Sequence, residues 1–263
     1  SMSQDELAAL KGCDIPTIDP GGDDLLYVKT SESGLHLRFT RAMRQCHMKT
    51  KKYNQIRQSI HAKAGTIGDR TIDEWTACLS AQSCMHTDIE RYKDWIRLKT
   101  YVLMLTSAHW ANESFRKLKF NAKVNKRRSE DYFVNEFKAT FGDHKLVVIG
   151  DWSKTTSHLK NNAPTPQKGL HKIFRRRGIA TRLLHEQLTT KRCSCCRRGD
   201  CGEFLRVPGK DGHSHFVHGV LRCNNTNCQA IHNRNENAVK NQLRVVQAVI
   251  NGLPRPGYLT STQ

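Results

Sequence analysis

Six of the chain's ten cysteines fall between Cys193 and Cys228, and four of them form two pairs, Cys193-x-x-Cys196 and Cys223-x4-Cys228, separated by 26 residues. Two thiolates on a tight turn supply two corners of a tetrahedron about 2.3 Å from a zinc ion, and a second knuckle supplies the other two. This layout predicts a zinc ribbon with a hairpin between the knuckles, its strands drawn from residues 204–207 and 215–220. So short and polar a segment would scarcely fold unaided, so the metal contributes folding free energy. Disulfides are the competing reading, but clustering without a secretion signal points to metal binding in a reducing compartment. Cys195, Cys201, His213 and His215 lie close enough to substitute as ligands. The scattered Cys13, Cys46, Cys78 and Cys84 read as buried small hydrophobes.

A ribbon alone does not separate a structural module from a nucleic-acid contact. Charge favours the contact: lysine and arginine outnumber acids 43 to 24 over 263 residues, a formal charge of +19. Such an excess favours a polyanionic partner, nucleic acid first and an anionic membrane surface second. No apolar run approaches the roughly 18 residues of a membrane helix, so no membrane role is expected. Lys191, Arg192, Arg197, Arg198 and Arg206 surround the ribbon itself. A second basic run places Arg116, Lys117, Lys119, Lys123, Lys126, Arg127 and Arg128 together with no acid among them. Lys168, Lys172, Arg175, Arg176 and Arg177 make a third. Each is a solvated face or a phosphate track, and either of the last two could also serve as a nuclear localisation signal.

Ahead of the ribbon, three short apolar runs near residues 15–18, 25–28 and 35–39 are joined by short connections and predict antiparallel strands. Residues 41–141 turn helical: Tyr92, Trp95, Ile96, Leu98, Tyr101, Val102, Leu105 and Trp110 recur at helical spacing. Ile67-Gly68-Asp69 reads as a loop before a shorter helix. Leu146-Val147-Val148-Ile149 predicts a buried strand, and a loop through Pro164 and Pro166 leads to a basic helix stopped by Gly178. Residues 179–184 then predict a second buried strand, residues 235–250 a final helix, and the tail from Gly252 a loose end. The expected fold is α/β, an RNase H-like mixed sheet with a large helical insertion and an inserted zinc ribbon. The expected domains are 14–190 for the sheet (insertion 41–141), 191–231 for the ribbon, 232–251 for the closing helix and 252–263 for the tail.

Three acids stand at predicted strand ends: Asp19 before Pro20-Gly21-Gly22, Asp151 after Gly150, and Glu186 after the last strand. Singly each is a turn or solvated acid. Together they suit the carboxylates that two-metal nucleases converge on a pair of Mg²⁺ ions about 3.5–4 Å apart. Ile18-Asp19-Pro20-Gly21 resembles the first RuvC motif of the TnpB and Fanzor families, and Gly150-Asp151-Trp152-Ser153 resembles the Fanzor second motif. The run His185-Glu186-x-x-Thr189-Thr190-Lys191-x-Cys193-x-x-Cys196 is similar to the one that enters the family's zinc ribbon. The helical stretch around residues 115–120 is also Fanzor-like.

The resemblance covers residues 14–245 and implies a RuvC-type DNA endonuclease domain of an RNA-guided nuclease. It would use structural Zn²⁺ and catalytic Mg²⁺ or Mn²⁺, with guide RNA and target DNA as partners of the full-length protein and the nucleus as location. It makes Glu186 the second metal ligand and Asp151 a weaker candidate. Family members carry recognition and wedge domains ahead of the first motif, so the chain is expected to be a fragment or the product of a shortened gene. The third motif resembles Asn-Arg-Asp-x-Asn-Ala, but here it reads Asn233-Arg234-Asn235-Glu236-Asn237-Ala238. Asn235 keeps an oxygen, loses the charge that binds Mg²⁺ and adds an amide donor. Glu236, one residue on, is the candidate for partial compensation, against which stands its projection about 100° away on a helix. The expectation is an impaired nuclease, by engineering or natural decay. The alternatives are a catalytically dead nucleic-acid-binding module and a zinc-ribbon transposase without an RNA partner.

Overall fold

The computed structural model describes residues 4–32, 34–82, 87–151 and 167–260. Cys84, Trp152, Ser153 and the loop holding Pro164 and Pro166 lie outside them, as does the side chain of Lys168. The chain divides into two compact units, Ser1–Met43 with Glu130–Gln263, and Arg44–Ser129.

The first unit opens with a short helix, α1 (Gln4–Ala9), and three strands, β1 (Thr17–Asp19), β2 (Asp24–Lys29) and β3 (His36–Thr40). After it α2 (Arg41–His47) leads into the second unit, which holds α3 (Thr50–Ala64), a small hairpin of β4 (Thr66–Ile67) and β5 (Arg70–Thr71), α4 (Ile72–Ala81) and α5 (Ile89–Trp110). The loop expected at residues 67–69 is thus the turn of a hairpin. Thr71 then starts α4 with a capping box, its hydroxyl accepting from the Glu74 amide while Glu74 accepts from the Thr71 amide. The long α6 (Glu113–Phe141) carries the chain across the boundary.

The sheet is completed by β6 (Leu146–Gly150) and, after α7 (Gln167–Arg175), β7 (Ala180–Leu184). Its strand order is β3-β2-β1-β6-β7, antiparallel through the first three and parallel from β1 to β7. This is a mixed α/β sheet with a helical insertion, consistent with an RNase H-like topology. Because β1, β6 and β7 run the same way, Asp19, Asp151 and Glu186 follow the same ends of three adjacent strands, where ligands gather in α/β sheets.

Alternation along β6 divides the core. Val147 and Ile149 join Ile18, Leu26, Val28 and Phe39 against Phe133, Val134 and Phe137 of α6 and Phe174 of α7. Val148 faces the other way, onto Val246 and Ile250 of the last helix, with Leu146, Leu184 and Ile15. β6 is therefore covered on both faces, as its unbroken apolar run requires. β7 differs from the expected buried strand: it is the sheet's open edge, with Leu183 more than half exposed.

Five short strands follow: β8 (Cys201–Glu203), β9 (Arg206–Pro208), β10 (Ser214–Phe216), β11 (Val220–Cys223) and β12 (Ile231–Asn233). β9 and β10 form the hairpin expected between the knuckles, two residues inside the expected start of its first strand. The three-stranded sheet β12-β11-β8 was not foreseen. The closing helix α8 (Arg234–Ile250) begins at Asn233, whose side chain accepts from the amides of Asn235 and Glu236.

Two expectations fail here for physical reasons. The tail is not loose over residues 253–260: Leu259 is fully buried, the Tyr258 hydroxyl donates to Asn241, and Arg255 donates to the carbonyls of His185 and Gln187. Cys13 and Cys46 are exposed and Cys78 half-buried, so these three described cysteines outside the ribbon do not fill the core. No helix among the described residues is long and apolar enough to cross a membrane.

Candidate functional site

A cleft of about 810 Å³ in the first unit is lined by Asp19, Asp24, Asp151 and Glu186 together with Asn235, Arg38 and Arg234. The three strand-end acids and the asparagine singled out in the sequence thus line one space. Asp19 is buried, and its Oδ1 accepts from Gln242 of α8 at 2.8 Å. Glu186 lies against the backbone of Gly150, where a Cβ would overlap its carboxylate and push the side chain aside. Its Oε1 is buried without a hydrogen-bond partner, and so is the Oε1 of Gln242.

Burial and crowding govern the protonation of this group. Desolvation raises Asp19 to about 7, opposed by the Gln242 hydrogen bond and by Arg234. Desolvation raises Glu186 to about 9, reinforced by the negative charges of Asp19 and Asp151. Burial and mutual repulsion thus favour protonated carboxyls here, while among the described residues the sets of three or more donors close enough to share an ion are those of the ribbon.

Asp24 belongs to the site, although the sequence reading passed over it. The turn at Gly21 and Gly22 returns the chain so that Asp24 opens β2 beside the cleft, and a Cβ at Gly21 would come within 2.7 Å of the Asp24 carbonyl oxygen. The available signal was the run Asp19-Pro20-Gly21-Gly22-Asp23-Asp24, a glycine turn with acids on both sides. The Asp24 carboxylate takes the Arg38 guanidinium at 2.8–3.2 Å, and the Asn235 amide donates to its other side at 2.7 Å. Glu236 turns away, held by Lys240 at 2.9 Å and Lys29 at 3.5 Å, with its carboxyl lowered by the Lys240 hydrogen bond. The 100° rule for neighbouring helical residues holds at this pair.

The thiolates of Cys193, Cys196, Cys223 and Cys228 lie within 4.8 Å of one another. Cys193 is 3.9 Å from Cys228 and Cys196 is 3.6 Å from Cys223. A tetrahedron with metal–sulfur bonds near 2.3 Å has edges of about 3.8 Å, so the cluster matches a four-thiolate metal site. Backbone amides of Gly199 and Asn225 point at Cys196 and Cys223, each at 3.4 Å. Burial pushes the Cys196 thiol up, but the amides of Arg198 and Gly199 and the neighbouring thiols bring it down to about 6. Of the possible substitutes, Cys195 is exposed, and His215 is taken by Asp211 in the hairpin. Cys201 does stand beside the cluster, as does His232, which the sequence reading missed. Its signal was weak, a lone histidine four residues past the second knuckle.

The cations divide by context. Arg116, Lys117, Lys119, Lys123, Lys126, Arg127 and Arg128 are all exposed on α6, with Lys117 paired to Glu113 at 3.3 Å. In the other cluster Arg175 is exposed, but Arg176 pairs with the buried Glu130 and Arg177 with Asp131 at 2.5 Å. Those two arginines tie the turn after α7 to α6. No model of a known protein family matches the chain, and no curated protein matches its sequence.

Proposed function

We propose that the first unit is a RuvC-type, metal-dependent DNA endonuclease domain of the Fanzor and TnpB kind, held inactive by Asn235. One observation carries the reading: Asp19, Asp151, Glu186 and Asn235, quoted in the sequence for four separate stretches, line one cleft. Asp19 and Glu186 are the ligands for Mg²⁺ or Mn²⁺, with Asp24 and Asp151 beside them. Bound there, the ions would supply an activated water and a stabilised leaving oxygen for phosphodiester hydrolysis. The four-cysteine site is read as structural zinc, fixing the ribbon that forms one wall of the cleft through His218 and Gly219. Guide RNA and target DNA as partners, and a nuclear location, are part of the same proposal and rest on the motif resemblance alone.

A second reading, a catalytically dead nucleic-acid-binding module, has its own support. The Asn235 amide and Gln242 already satisfy Asp24 and Asp19 with protein donors, an arrangement that needs no ion. Calorimetric titration with Mn²⁺ separates the two, using the chain as it stands, Asn235→Asp, and Asn235→Asp combined with Asp19→Ala. The nuclease reading expects weak binding, restored binding and lost binding in that order. Absence of Mn²⁺ binding in all three supports the dead module.

A further inference from the structure

The four-cysteine cluster does not use all the metal-binding side chains that converge on it. Cys193, Cys201 and His232 form a second set, also with all donor atoms within 4.8 Å of one another, and share Cys193 with the first. We propose that the ribbon holds two metal ions bridged by the Cys193 thiolate, the second bound by Cys193, Cys201 and His232. The inference rests on the four-thiolate reading of the first site and goes beyond it.

Strand register explains why these residues meet. In the sheet β12-β11-β8, Cys201 lies opposite Cys223 and His232 lies opposite Leu221. Cys223 and Leu221 are two apart on β11 and so share a face, which is the buried one. Cys201, Cys223 and His232 therefore project from one face on three adjacent strands. Cys193, fully buried, comes down on that face from the first knuckle. The His232 Nε2 is 3.2 Å from the Cys193 sulfur. Zinc bonds of about 2.3 Å to sulfur and 2.0–2.1 Å to nitrogen span that distance at a slightly closed angle.

The chemistry of the set suits a second borderline or soft dication. Thiolate and imidazole are the donors such ions prefer, and three protein ligands leave one position for water. On binding, Cys201 gives up its proton to solvent and His232 coordinates as the neutral imidazole. Adding a dication together with one further thiolate makes the cluster less anionic than one ion with four thiolates. The competing arrangement keeps one ion and uses His232 only as a hydrogen-bond donor to Cys193.

Counting ions per chain decides between them. The full chain, equilibrated with excess zinc and then desalted, is weighed by native mass spectrometry, with metal content checked by elemental analysis. Two ions in the parent chain, falling to one in Cys201→Ser and in His232→Ala, support the proposal. One ion in the parent overturns the second site and leaves the first intact; none overturns both. Two ions in the parent and still two in both variants place the second ion elsewhere and also overturn it. Should either variant fail to fold, ¹¹³Cd NMR of the cadmium-loaded parent replaces it. Two resonances, one all-thiolate and one with nitrogen coordination, support the bridged pair, and a single resonance overturns it.

Discussion

Asn235 occupies a position where its side chain is useful to the fold as it stands, donating to Asp24 at 2.7 Å. An aspartate there would set one carboxylate against another, with Arg38 the cation paired to Asp24 among the described residues. Asn235→Asp should therefore lower stability without added Mn²⁺ or Mg²⁺ by about 1–3 kcal/mol, the cost of a lost hydrogen bond and an unpaired charge. Millimolar Mn²⁺ should recover that loss in Asn235→Asp and change the parent little, as read by thermal unfolding. An equal Mn²⁺ response in both proteins would count against an ion site centred on residue 235. Glu186 makes a pH prediction. Its folded value near 9 lies above the 4.5 of a free glutamate, so between those values the native state holds a proton that the unfolded state has lost. Its contribution to stability is complete below pH 4.5 and fades as pH rises toward 9. Without metal, Glu186→Gln should match the parent near pH 4.5 and melt about 3 °C higher or more at pH 8, on the order of 1 kcal/mol for a chain of this size. Asp19 and Glu186 were legible in the sequence because strand ends and glycine turns leave a local signature. Asp24 was not, since its place depends on how the Gly21–Gly22 turn folds back. The seat of Glu186 against Gly150 depends on pairing β6 with β7 in register, which no local pattern reveals.

At the scale of elements, α8 ties the ribbon to the sheet through buried amides rather than apolar contact alone. Asn237 donates to the carbonyls of Thr190 and Arg192 and accepts from the Ser194 amide, while Asn241 donates to Thr189 and Arg192. These carbonyls belong to the segment entering the first knuckle, so one turn of helix fixes its path. Asn237→Ala would leave buried backbone groups without partners and should cost about 2–3 kcal/mol. Urea unfolding should show that as a lower midpoint with an unchanged slope. A cost below about 0.5 kcal/mol would mean that water replaces the amide and that α8 is not the tether. The motif Asn233-Arg234-Asn235-Glu236-Asn237-Ala238 was read for one metal ligand, yet three of its residues do structural work: a cap, an acid partner and a lock. Periodicity correctly marked α8, β6 and the stop at Gly178, because each is decided by local residues. It misjudged β7 and the tail. An apolar stretch reads alike in the centre and at the edge of a sheet, and the tail is held by contacts from distant segments, as when Tyr258 donates to Asn241 of α8.

Over the whole molecule the excess of positive charge is the feature least explained by folding. Arg176 and Arg177 are paired with Glu130 and Asp131, which leaves α6 as the better candidate for a phosphate track. On that helix Arg116, Lys119, Lys123 and Arg127 are spaced three, four and four apart, so they form one exposed stripe along about 16 Å of axis. Phe120 stands beside them with two-thirds of its surface exposed, an aromatic face among cations of the kind on which bases stack. The sequence showed the clustering of these cations, but not which cluster was already paired inside the fold, because Glu130 and Asp131 lie far along the chain from Arg176. If α6 binds a strand, each phosphate neutralised adds about 0.7–0.9 to the slope of log affinity against log salt. Replacing Arg116, Lys119, Lys123 and Arg127 with serine should then flatten that slope by about 3 and weaken binding for every sequence tested. Arg176→Ala with Arg177→Ala should lower the melting temperature instead and leave the slope nearly unchanged. Fluorescence anisotropy with a labelled single-stranded oligonucleotide between 50 and about 200 mM salt measures both. Equal flattening by the two sets would assign the effect to net charge alone and remove α6 as a defined track.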